Sequence, residues 1–125
     1  MKKLILASAI LVFIAITILS LLPPRTNLEI PTNDKIGHFM AYATFSLNIC
    51  LLFPRVSKQL LLLLLGVIGY GILLEFLQGF VGRSTSFYDF LANTIGVSIG
   101  FVLYLFLAWQ RWRFSPQMLK RRTKL

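Results

Sequence analysis

The chain has 125 residues, 57% of them hydrophobic and only 14% charged, with a formal net charge of +9 and a mean hydropathy of +0.77. A water-soluble fold of this size needs more charge to cover its surface. A helix needs roughly 20 apolar residues to cross a bilayer core about 30 Å thick. Four charge-poor stretches approach that length. What remains suffices for short loops and tails, which excludes a soluble catalytic domain, a nucleotide-binding fold or a long ectodomain. The single Cys50 excludes an intramolecular disulfide framework and a multi-cysteine metal site. The expected class is all-α: one polytopic membrane domain over residues 1–125, built as a four-transmembrane-helix bundle.

The first expected span covers residues 4–22 and carries no charge. Pro23-Pro24 ends it, because proline cannot extend the helical hydrogen-bond ladder. The run is too long for a signal-peptide core, and Leu-Leu-Pro-Pro is no small-residue cleavage site, so it reads as an uncleaved anchor. A polar loop leads to the second span, about 36–53, which Pro54 stops. A tight loop precedes the third, about 60–80, whose one acid is Glu75. A glycine- and serine-containing loop precedes the fourth, about 90–109. Trp109 and Trp112 stand where an interfacial aromatic belt would lie, and residues 110–125 form a basic tail. Strands are not expected, since the apolar runs lack the alternation of a barrel.

Four spans put both termini on one side. With the termini inside, ten of the thirteen basic residues are cytoplasmic, leaving Arg25, Lys35 and Arg83 outside. The positive-inside rule then places both termini in the cytoplasm. The basic tail is read as a topology signal and anionic-lipid contact, with no nucleic-acid partner.

In this arrangement the unusual residues gather at the outer face. Asp34 and His38, four apart, share a helix face at the start of the second span, and Tyr42 and Ser46 continue the row. Glu75 and Gln78 share a face at the end of the third, beside Gly71 and Gly79. Arg83 lies in the outer loop. Asp89 and Asn93 open the fourth span, followed on the same line by Gly96 and Gly100. Glycines on these rows let backbones approach closely, so the rows are expected to face one another. A carboxylate turned to lipid is costly, which makes Glu75 a functional candidate. Each residue also has an ordinary explanation. Ser86 and Asp89 have capping-box spacing, Asp34 suits a helix start, His38 could be a hydrogen-bonded interfacial histidine, and Glu75 could pair with Arg83.

The motifs Asp34-Lys35-Ile36-Gly37-His38-Phe39 with Tyr42, Glu75-Phe76-Leu77-Gln78, and Arg83 followed by Asp89-Phe90-Leu91-Ala92-Asn93-Thr94-Ile95-Gly96 resemble, in order, the three motifs of VanZ-like membrane proteins. Val81 departs from the proline that relatives often carry before Gly82-Arg83. The resemblance implies a bacterial inner-membrane protein with an envelope role and an effect on susceptibility to the glycopeptide teicoplanin.

One reading makes the outer face an enzyme site acting on an envelope lipid or cell-wall precursor. His38 would be the acid/base, oriented by Asp34 or Asp89, and Glu75 would exchange a proton. Arg83 with Lys35 would hold a phosphate or carboxylate, while Gln78, Asn93 and Tyr42 would line the site. No nucleophile carries a motif, so activated water fits better than a covalent intermediate. One histidine with two or three carboxylates could also hold zinc or a harder cation. Without a His-x-x-x-His or cysteine pairing, no metal ligand is assigned and no cofactor is named. The other readings are a binding protein for a lipid head group or lipid-linked peptidoglycan precursor, and a structural network that pins the helices. A transporter fits least, because the polar groups stop near one face.

Overall fold

A computed structural model describes residues 1–22, 31–83 and 85–113, with residues 31–34 described by their backbone only. The helices in chain order are α1 (Lys2–Leu21), α2 (Pro31–Leu52), α3 (Lys58–Gln78) and α4 (Phe87–Arg113), with a short 3₁₀ turn, Gly79–Val81, after α3. The boundaries differ from the sequence expectation for identifiable reasons. Helix α2 starts five residues early, at Pro31, because proline is well suited to the first helical position, where no N–H is needed. Helix α3 starts at Lys58, since the Ser57 side chain caps it by accepting from the Leu60 N–H at 3.2 Å. Helix α4 extends past Trp109 to Arg113, whose guanidinium lies 5.1 Å from the Trp109 ring. The loop residues Arg25 and Glu29, the side chain of Asp34, Ser84 and the tail beyond Arg113 lie outside the described residues.

Successive helices run antiparallel. At one end, Lys2 of α1 and Leu52 of α2 share a pocket with Tyr104 and Arg111 of α4. At the other end, Arg83 reaches the last turn of α1. The most extensive packing is between α2 and α4. Its cause is the glycine row. A Cβ added at Gly96 would sit 2.5 Å from the Phe39 carbonyl oxygen, and one at Gly100 would run into Ser46 Oγ and the Ala43 carbonyl. The absent side chains let the two backbones meet, as in small-xxx-small contacts. The approach lets Ser46 Oγ donate across to the Val97 carbonyl at 3.1 Å. Helix α1 is tied by polar contacts within an apolar surround: Asn48 Nδ2 donates to Ser8 Oγ at 3.0 Å, and the Thr17 and Tyr70 hydroxyls lie 2.7 Å apart. Phe13 packs on Phe45 and Tyr70 beside them.

The outer surface is apolar. Leu11, Ile18, Leu62, Leu65, Phe76 and Val102 are each more than half exposed. In water each such side chain forgoes about 1.5–3 kcal/mol of burial, whereas against hydrocarbon the loss vanishes. Among the described residues, three helical segments (Lys2–Leu21, Lys58–Val81 and Phe87–Arg113) are long and apolar enough to cross a membrane. Length and composition thus support three of the four expected spans. The exception, α2, carries Lys35, His38, Tyr42, Ser46 and Asn48, and buries Tyr42, Phe45, Ser46 and Cys50 against its neighbours.

Candidate functional site

The end of the bundle that holds the α3–α4 loop brings most of the sequence-selected residues together. Tyr42 and Gln78 are each 1% exposed, Asn93 2%, Asp89 6% and Glu75 7%; His38 is half-buried. For these residues the expectation that the helical rows face inward is met; the Asp34 side chain lies outside the described residues. His38 on α2, Glu75 on α3 and Asp89 on α4 each offer one ligand atom, and these atoms all lie within 4.8 Å of one another. Tyr42 reaches between α3 and α4: a Cβ at Gly71 would stand 3.2 Å from the Tyr42 hydroxyl and 3.3 Å from Asn93 Nδ2. Glycine at 71 keeps that space for the phenol.

Two of the three converging groups are held by identified hydrogen bonds. His38 Nδ1 lies 3.0 Å from Asn93 Oδ1. An amide oxygen can only accept, so Nδ1 is the donor in this contact. Glu75 Oε2 accepts from the backbone N–H of Ser86, at 3.4 Å, just ahead of α4. Glu75 therefore fastens the loop to the end of α3. Asp89, whose spacing from Ser86 equally suggested a capping role, is buried in the cluster, and its N–H bonds the Ser86 carbonyl at 3.0 Å.

The loop geometry follows from Gly82. Its φ of 80° is in the left-handed region, natural for glycine. The Arg83 N–H bonds the Gln78 carbonyl at 3.1 Å, the long bond of a Schellman ending that turns the chain back at the end of α3. Arg83 Nη1 donates to the Leu19 carbonyl at 3.2 Å. Sequence reasoning missed this contact, although its signal was present. In a continuing helix that carbonyl would accept from residue 23, and Pro23 has no N–H. Lys35 is exposed, with its ammonium 4.8 Å from the centre of the Tyr88 ring, so it links the starts of α2 and α4 at the rim.

The cluster opens to the flanks of the bundle. A groove of about 410 Å³ between α1 and α2 has His38 among Leu11, Ile16, Leu19 and Met40. A second, about 430 Å³, between α3 and the start of α4, has Glu75 among Ile72, Phe76, Phe87 and Phe90. The ring and the carboxylate can thus serve as a proton acceptor and donor, or as ligands, at the heads of two apolar clefts. The clefts themselves had no signal in the sequence.

The fold and the site are those of a small helical protein with the features of a membrane domain and a buried polar centre at one end. The VanZ/LLP1 family model matches residues 3–108, and the chain belongs to that family. It is 33% identical over 106 residues to an uncharacterized protein of Schizosaccharomyces pombe, an alignment covering 82% of this chain and 63% of the relative. The chain thus spans less than two thirds of that protein's length. No solved structure matches it.

Proposed function

We propose that the protein is a multi-pass protein of the bacterial inner membrane, with both termini cytoplasmic, that binds an envelope lipid and acts on its head group at the extracytoplasmic face. The observation that carries this reading is the convergence of His38, Glu75 and Asp89 where apolar grooves open on the outside of the bundle. A lipid fits such a shape, with its polar head at the buried cluster and its chains along Leu11 and Leu19 or along Phe76 and Phe90. His38, its Nδ1 proton held by Asn93, would act as acid/base through Nε2, and Asp89 and Glu75 would accept or return the proton. Arg83 and Lys35 supply positive charge at the rim for a phosphate. A lipid-linked peptidoglycan precursor belongs to the same chemical class and would connect the site to teicoplanin susceptibility. Similarity to a fungal protein favours the phospholipid-like head group, because fungi make no peptidoglycan.

The alternative, a binding or helix-pinning network without chemistry, draws support from Ser46, Asn48 and the Thr17–Tyr70 pair, polar groups outside the converging three that also join helices. One comparison separates the readings. Lipid extracts of cells lacking the protein are compared by mass spectrometry with those of cells carrying the wild type, Glu75→Gln or Asp89→Asn, with membrane protein levels measured alongside. The proposal expects one lipid class to change with the wild type, and both variants to match the deletion at normal abundance. Loss of abundance in both variants would indicate a pinning network, and identical lipids with and without the wild type would refute the activity.

A further inference from the structure

We propose that His38, Glu75 and Asp89 form a binding site for one divalent transition-metal ion. The inference deepens the reading of this same cluster and rests on it only for location; with an ion bound, His38, Glu75 and Asp89 would serve as its ligands in place of the acid/base roles given above. Its first support is the donor set. One imidazole nitrogen and two carboxylate oxygens, from three different helices, all lie within 4.8 Å of one another. Ligands on opposite sides of an octahedral ion with bonds of about 2.1 Å stand roughly 4.2 Å apart, so a small inward movement closes the set. An imidazole suits zinc, manganese or iron, whereas magnesium and calcium favour oxygen alone.

The second support is the layer behind the donors. A ligating histidine commonly gives its other ring N–H to an oxygen, and ligating carboxylates are themselves hydrogen-bonded. Asn93 Oδ1 takes that position at His38 Nδ1, at 3.0 Å, and fixes the orientation of the ring. The Ser86 N–H takes it at Glu75 Oε2, at 3.4 Å, and so fixes the carboxylate at the end of α3.

The third support is independent of the donors. The Tyr42 hydroxyl is buried without a hydrogen-bond partner among the described residues, on a residue only 1% exposed. A Cβ at Gly71 would stand 3.2 Å from this hydroxyl and 3.3 Å from Nδ2 of Asn93, the residue that holds His38. A buried hydroxyl without a partner is unfavourable, and a water or oxygen ligand on an ion in the cluster would supply one. Three protein ligands leave coordination positions open, the arrangement of reactive rather than purely structural sites. An oxygen of a head-group phosphate or a water entering from either groove could occupy them.

His38 is the only histidine in the chain, which makes the test direct. Full-length protein without a histidine tag is purified in detergent, stripped with a chelator, and dialysed separately against Zn²⁺, Mn²⁺ and Mg²⁺. Bound metal is then counted by elemental analysis. We expect one Zn²⁺ or Mn²⁺ per chain, with Mg²⁺ at least tenfold weaker, and at least a tenfold loss of affinity in Asp89→Asn and Glu75→Gln. Because those variants could lose their fold, the wild type loaded with Mn²⁺ is also measured by pulsed electron paramagnetic resonance. Coupling to an imidazole nitrogen assigns the ion to His38 without any substitution. Less than a tenth of an equivalent bound, variants that bind like the wild type, or bound Mn²⁺ without nitrogen coupling would each overturn the proposal. The measurement contains no lipid substrate, so its failure is distinct from failure of the head-group activity.

Discussion

His38 and Asn93 are 55 residues apart in sequence and meet side chain to side chain, Nδ1 to Oδ1, at 3.0 Å across the α2–α4 interface. The contact exists because Gly96 and Gly100, one and two turns beyond Asn93, admit the backbone of α2. The same close approach that binds the two helices therefore selects the histidine tautomer.

Asn93→Ala removes that selection. Protein labelled with ¹⁵N-histidine should give one Nδ1–H tautomer in the wild type and a mixture in the variant. The lost hydrogen bond is worth about 0.5–1.5 kcal/mol, so the fold should persist. An unchanged tautomer in Asn93→Ala would assign its control to another group.

Glycine substitutions should separate into two groups. A methyl at Gly96 or Gly100 meets backbone that cannot swing aside, and each alanine should lower stability by about 1–3 kcal/mol. Gly66 and Gly69 have nothing within 4 Å of an added Cβ, and there alanine should be neutral or stabilising by up to about 1 kcal/mol through helix propensity. Thermal unfolding in one detergent compares the four. Similar shifts at all four positions would contradict the tight α2–α4 seam.

Arg83 donates to the Leu19 carbonyl from one nitrogen of a planar fork. Lysine keeps the charge but cannot reproduce that geometry while also holding a second oxygen. Arg83→Lys is therefore expected to impair function nearly as much as Arg83→Ala, with normal membrane insertion of both, as read by the lipid comparison and by immunoblot of membranes. Wild-type activity in Arg83→Lys would show that charge alone matters.

The distribution of basic residues predicts the topology. Reporters fused at Ser57 and after Leu125 should be active in the cytoplasm, and one at Leu28 outside. A Leu28 reporter active only in the cytoplasm would invert the orientation and move the polar cluster to the other face of the membrane.

The sequence by itself determined the helical class and the antiparallel order, and it singled out His38, Tyr42, Glu75, Gln78, Asp89 and Asn93, which pack at one end of the bundle. Apolar runs near the length of a bilayer crossing, broken by Pro23-Pro24 and Pro54, leave little freedom in where helices begin and end. Helical spacing of 38 with 42, 75 with 78, and 89 with 93 places each pair on one face whatever the helices pack against. Pro31, read as loop, begins a helix, because its ring replaces an N–H that a first turn does not use. Only the tertiary structure decided how the rows combine. No local spacing relates His38, Glu75 and Asp89, since each stands on a different helix. Their convergence depends on how closely α2, α3 and α4 approach, which in turn depends on backbone carbonyls meeting Gly96 and Gly100 and on a phenol filling the space beside Gly71. Contacts of that kind have no period along the chain. They are set by volume and distance between helices, and those arise only when the helices pack.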